Sequence, residues 1–243
     1  MSSSDPALKP LTLTGSSHLG LELLSAPQPF HEEPSLAESF RYRIVKRVFE
    51  LLLILAALPI LLPLVAIVCA VVACTSSGPV FYSHSRLRRN GEAFRIWKLR
   101  TMHTENARIL EEHLRNNPHS YKEWKETQKL KNDPRITTPG RFLRRYSLDE
   151  IPQLWNVING TMSLVGPRPI TSSEVKKYGA AFSTYCSVDP GLTGVWQISG
   201  RSDLTYSERV ILDCEYVQFW SLGNDLKIIV QTFGAVIARR GAY

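Results

Sequence analysis

Cysteine is scarce and unpatterned: there are four in 243 residues, none in a C-x-x-C spacing. That excludes a disulfide-built scaffold and a cysteine-rich zinc site. Cys69 and Cys74 lie in an apolar run, where a small thiol is ordinary filler. Neither G-x-G-x-x-G nor G-x-x-x-x-G-K-[ST] occurs, so the common nucleotide cradles are missing. Histidine stops early: the six stand at 18, 31, 84, 103, 113 and 119, with no H-E-x-x-H among them. A Ser-His-Asp or histidine–metal site in the second half would need His84 or His103 brought in from afar, which speaks against a hydrolase of the familiar kind. Low hydrophobicity is not among the shortages. Hydrophobic residues make up 44% and charged ones 21%, which excludes a wholly disordered chain, and the length is ample for a sizeable core.

Charge is missing altogether from Leu51 to Cys74, a stretch of 24 residues. A bilayer core takes about 20 apolar residues at 1.5 Å each, so this run is long enough to insert in a membrane. Pro59 and Pro63 fall near its middle. Each removes a backbone donor and crowds the carbonyl four residues earlier, which predicts a bend or break in the helix. Two topologies follow: a kinked span, or a re-entrant hairpin that enters and leaves by one leaflet. Arg41, Arg43, Lys46 and Arg47 precede the run, and Arg86, Arg88, Arg89, Arg95, Lys98 and Arg100 follow it. Basic residues mark the cytoplasmic side, and a single span would have to translocate one of these clusters. The flanks therefore favour the re-entrant form. With 29 Lys plus Arg against 22 Asp plus Glu, a net +7, the partners are expected to be anionic.

The whole chain reads as α+β and mostly helical, in three parts: a Ser- and Pro-rich tail over 1–40, the membrane segment over 41–76, and a domain over 77–243. Asn90-Gly91 between Val80-Phe81-Tyr82 and Phe94–Trp97 predicts a β-hairpin. Residues 104–131 read as two polar helices parted by Asn117-Pro118. A helix is expected after Asp149, stopping at Asn159-Gly160. Ser207–Trp220 and Asn224–Arg240 read as amphipathic helices whose apolar faces suit either core packing or an interfacial contact with lipid.

One dense polar stretch carries the best chemistry: Asp133-Pro134-Arg135, then Arg141, Arg144 and Arg145, then Asp149-Glu150 three residues before Pro152. Pro152 fits a first helical turn, which makes Asp149 or a neighbour the expected N-cap. Capping alone accounts for Asp149, with Glu150 complementing the helix dipole. The same geometry also suits phosphoryl transfer: an ionised carboxylate can attack phosphorus while nearby arginines stabilise charge on the phosphate oxygens. Arg168, held between Pro167 and Pro169, is suited to phosphate contact, with a structural turn as the plain alternative. Pro190 to Arg201 is a glycine-punctuated loop with the chemistry to face a sugar or nucleoside.

Taken together, these motifs resemble the bacterial sugar transferases, monotopic enzymes that move a sugar phosphate onto a polyprenyl phosphate. The likeness runs from Lys46 to Tyr243. Its fragments are Lys46–Glu50, Gly78–Phe81, Lys98–Met102, Asp133–Thr137, Ser147–Asn156, Met162–Pro169 and Pro190–Arg201, all in the family's order. The resemblance implies a re-entrant membrane helix and a ping-pong reaction at the cytoplasmic face of the bacterial inner membrane. By that likeness Asp149 attacks the β-phosphorus of a UDP-hexose, galactose or glucose, and expels UMP. Undecaprenyl phosphate then takes the phosphosugar, the priming step of exopolysaccharide synthesis. Mg²⁺ is implied at Asp149 and Glu150, and Lys98, Arg100, Arg145, Arg168 and Arg201 match basic positions expected to contact phosphate. The partners implied are UDP-hexose, undecaprenyl phosphate and membrane lipids, with a homodimer allowed and no nucleic acid. One departure stands out: family members often carry Ser before the helix-breaking proline, whereas Leu58 and Leu62 precede the prolines here. Two rivals remain at this level, a membrane-anchored binder of anionic ligands and a Mg²⁺-dependent phosphohydrolase of lipid diphosphates.

Overall fold

The structure, a computed structural model, describes residues 40–75, 77–199 and 204–237. The expected tail and Arg201 lie outside these residues. The apolar run forms α1, Phe40–Thr75, one helical segment with Pro59 and Pro63 inside it. The expected break is therefore not seen as an interruption. Both prolines are exposed, so their rings project away from the domain. Among the described residues α1 is the one helix long and apolar enough to cross a membrane, and only 11% of its most apolar stretch is buried.

What α1 does bury is a narrow stripe. Glu50, Ile54, Val68 and Val72 are buried, with Leu58 and Leu64 packed partly between them. This is helical spacing along one face. Ile54 and Leu58 meet Phe94, Ile96, Val157 and Met162, while Leu64, Val68 and Val72 meet Leu99 and Leu143. Both halves of α1 thus rest on the same domain, on either side of the proline pair.

The domain begins with the expected hairpin. β1, Phe81–Leu87, pairs antiparallel with β2, Ala93–Leu99, in a register that sets Tyr82 opposite Lys98 and Arg86 opposite Phe94. Asn90 and Gly91 take positive φ (66° and 74°) in the turn, the conformation for which this dipeptide is suited. The two polar helices follow as α2, Asn106–Asn116, and α3, Pro118–Thr127. Thr137 caps α4, Thr138–Arg145, by accepting from the Gly140 amide at 3.0 Å.

After α4 come a 3-10 turn at Leu148–Glu150 and α5, Gln153–Ile158, which ends at Asn159 and a left-handed Gly160 as expected. β3, Ser163–Val165, pairs in parallel with β4, Gly191–Thr193, across α6 (Val175–Tyr178) and α7 (Phe182–Cys186). The chain then forms α8, Val195–Ile198, α9, Tyr206–Gln218, and α10, Leu222–Ile237. The glycines of the Pro190 loop have a packing role: a Cβ at Gly191 would lie 2.1 Å from the Gly166 amide, so β3 and β4 approach too closely for any side chain there.

Two of the basic residues before the apolar run, Lys46 and Arg47, are engaged by this domain. Lys46 donates to the Val165 carbonyl (3.0 Å), to the Tyr216 hydroxyl (3.1 Å) and to Asp225, which also accepts from Tyr216 and Trp220 at 2.9 Å. Arg47 donates to the Val157 and Ile158 carbonyls, satisfying the C-terminal end of α5. Glu50 accepts from the Ser163 hydroxyl and, at 2.9 Å, from the Leu164 amide.

Candidate active site

Asp149 occupies the middle of the 3-10 turn, not the N-cap of α5, which is Pro152. The capping role expected for it is therefore corrected. Pro152 has αR geometry (φ −59°, ψ −17°), and with Pro152 as N-cap the helix proper starts three residues later than a cap at Asp149 would place it. The left-handed Ser147 (φ 54°) turns the chain sharply into the 3-10 segment and brings Asp149 inward, to 8% exposure.

The turn is held over the hairpin by Asn156, itself 1% exposed. Its side-chain oxygen accepts from the Trp97 amide at 3.1 Å, and its amide donates to the Arg95 carbonyl (2.8 Å) and to Thr161 (3.1 Å). That fixes α5 along β2 and sets Glu150 against Lys98, with Nζ and Oε1 2.5 Å apart. Burial raises the Asp149 pKa above its usual value, and the neighbouring Glu150 charge raises it further; Lys98 and Arg144 pull the other way. A buried carboxylate beside a second carboxylate and in the field of two cations is a candidate for chemistry.

Arg144 is the cation that the sequence did not single out for phosphate. Its Nε donates to the Thr101 hydroxyl at 2.8 Å, and its charge and that of Asp149 act on each other. Arg145, next in sequence, is exposed on the other side of α4. The helix phase decides between them. Leu143 is buried, and Gly140 lies so close to Thr101 that a Cβ would stand 2.2 Å from its carbonyl oxygen. Arg100 donates to the Ser77 carbonyl, bracing the link between α1 and β1. Arg168 lies with its guanidinium 5.2 Å from the Trp196 ring centre, next to Arg86 rather than to Asp149. The structure thus brings Asp149, Glu150 and Lys98 together, adds Arg144, and sets Arg100, Arg145 and Arg168 apart.

Among the described residues no three His, Cys, Asp or Glu side chains form a metal cage. Two adjacent carboxylates still fit Mg²⁺, which keeps waters and takes one or two carboxylates together with substrate phosphate. The mutual repulsion that raises the Asp149 pKa is the kind that a divalent cation relieves.

A cleft of about 490 Å³ lies elsewhere, along the first turns of α1 between Phe40, Arg43, Met162 and Trp220. The carboxylates do not line it.

Residues 41–239 match the model of the family described as bacterial sugar transferase. The chain is 48% identical over 200 residues to the exopolysaccharide production protein ExoY of Rhizobium meliloti, covering 82% of this chain and 88% of that one. It is 45% identical over 201 residues to the undecaprenyl-phosphate galactose phosphotransferase of Salmonella typhimurium, covering 83% of this chain and 42% of that one. To the UDP-glucose:undecaprenyl-phosphate glucose-1-phosphate transferase of Escherichia coli it is 34% identical over 210 residues, again 83% and 42%. This chain therefore spans most of the first relative and less than half of the other two.

Proposed function

The chain belongs to the bacterial sugar transferase family, and from that premise we propose that it transfers a hexose 1-phosphate from a UDP-hexose to undecaprenyl phosphate, priming exopolysaccharide assembly. The observation that carries the reading is the buried Asp149 carboxylate beside Glu150, Lys98 and Arg144. An oxygen of ionised Asp149 attacks the β-phosphorus. The bond to the bridging oxygen breaks, and UMP leaves with the electron pair. An oxygen of undecaprenyl phosphate then attacks the aspartyl phosphosugar, forming the lipid diphosphosugar and regenerating the carboxylate. Lys98 and Arg144 offset charge on the phosphoryl oxygens. Glu150, held by Lys98, and Asp149 would hold Mg²⁺, which supplies charge neutralisation at the diphosphate when bound.

The re-entrant topology is supported by the packing of α1. Only the short stretch between Leu58 and Leu64 lies between its two packed halves, whereas a span needs about 20 residues surrounded by lipid. Lys46 and Arg47, bonded to the domain, keep the start of the helix on the side where Asp149 lies. Those features support a membrane segment ending near residue 76 and a catalytic domain on the cytoplasmic face. The hexose is drawn from the galactose and glucose named for the relatives.

Radiolabel moving from UDP-galactose or UDP-glucose into a chloroform-extractable product, with UMP released, is the expected result. Preferred turnover of UDP-N-acetylglucosamine would overturn the hexose assignment. Release of inorganic phosphate from a lipid diphosphate, without sugar transfer, would favour the phosphohydrolase.

A further inference from the structure

We propose that Arg86, Arg168 and Arg209 form a second, half-buried phosphate-binding position, set apart from Asp149 by the length of β1 that leads to Arg86. The guanidinium of Arg209 lies 4.8 Å from the Trp196 ring centre and 5.1 Å from that of Tyr206, and that of Arg168 lies 5.2 Å from Trp196. Arg86 lies within the field of both other arginines. The Arg209 side chain is only 13% exposed, yet its buried Nε and Nη2 make no hydrogen bond, and neither does the buried Nε1 of Trp196.

The nearby carboxylates, Glu174 and Asp213, offset this charge only in part. Glu174 is 3.9 Å from Arg209 and already accepts from the amide and hydroxyl of Thr171, at 2.8 and 2.9 Å. Asp213 accepts from the Tyr178 hydroxyl at 2.7 Å, and burial pushes its carboxyl up to about 7. Three cations therefore face two committed acids. Leaving charged donors buried without acceptors is costly, and a tetrahedral oxyanion offers several acceptors to converging guanidinium forks. A neutral sugar would satisfy donors but not the charge.

The position is distinct from the carboxylate pair. Tyr82, His84 and Arg86 alternate onto one face of β1; Tyr82 stands opposite Lys98, and four residues carry the strand roughly 13 Å further to Arg86. His84 sits between, its pKa lowered by burial and by the charges of Arg86 and Lys98.

Which phosphate is bound rests on the transferase reading, which supplies two: that of the nucleotide and that of the polyprenyl acceptor. The test uses the full chain in lipid nanodiscs, with Arg209→Gln and Arg168→Gln. Binding of UMP, undecaprenyl phosphate and inorganic phosphate is titrated, and melting temperature reports folding. Each variant should weaken either UMP or undecaprenyl phosphate by about tenfold or more, the one affected naming the source. Arg209→Lys, which keeps the charge but loses the fork, should recover only part of the loss. Should Arg209→Gln fail to fold, the half-buried Arg168 decides. Folded variants that bind both probes within about twofold of wild type would overturn the proposal. Arg209-dependent binding of inorganic phosphate without any turnover of UDP-hexose would instead sink the transferase reading and leave this site standing.

Discussion

At the scale of single residues, Asp149 carries two opposed demands. On the proposed mechanism it must be ionised to attack phosphorus, yet burial and Glu150 hold its pKa above the usual aspartate value. Activity should therefore fall on the acid side at a higher pH than an ordinary aspartate would give, and a pH profile of UMP release measures this. Stability moves oppositely. A raised carboxyl pKa stabilises the fold below the unfolded value and loses that contribution as pH rises through the folded one. Asp149→Asn should thus leave the melting temperature at neutral pH unchanged or higher while cutting turnover by at least about 10³-fold. Activity near wild type in that variant would return Asp149 to a structural role. Spacing alone reads Asp149 as a cap, and it is the family likeness that singles out the pair Asp149-Glu150. The choice of Arg144 over Arg145 was not legible, since it depends on the phase of α4, which Leu143 and Gly140 set against Thr101. Arg86 and Arg209 were further from view, because elements distant in sequence bring Arg209 to Trp196 and Arg86 within the field of Arg209.

At the scale of elements, α1 does two jobs with two faces. Its domain face is anchored by Lys46, whose partner Asp225 is 1% exposed. Lys46→Met leaves that carboxylate buried without its cation and should cost about 3–5 kcal/mol, read by denaturant unfolding in micelles. The sequence presented Lys46 and Arg47 as a topological signal; their tertiary bonds, to partners more than a hundred residues away, were beyond local reading. The apolar face of α10 was open in sequence between core and lipid. Leu226, Val230 and Phe233 are exposed, whereas Ile228 takes the core position. Replacing those three with Ser should leave the melting temperature within a degree or so and reduce co-sedimentation with lipid vesicles. A large fall in stability would assign them to the core.

At the scale of the whole molecule, the proposed re-entrant topology seats the domain on one leaflet and would let a soluble nucleotide and a lipid phosphate meet at Asp149. Cysteines placed at Ser39 and Ser83, in a background lacking the four native ones, should both resist an external impermeant reagent; labelling of one alone would show a true span. The hairpin, the polar helices and the two C-terminal helices were legible because turn residues and periodicity are local. The parallel β3–β4 pair was not, because its two three-residue strands are joined only by contact across the fold. The central claim is a covalent phosphosugar on Asp149, and its most direct test is intact-peptide mass spectrometry of wild-type protein incubated with UDP-hexose and no lipid acceptor. The account predicts one phosphohexose added to the peptide containing Asp149, with UMP released in step and chased off by undecaprenyl phosphate. UMP release without that adduct, or an adduct on another residue, would contradict it.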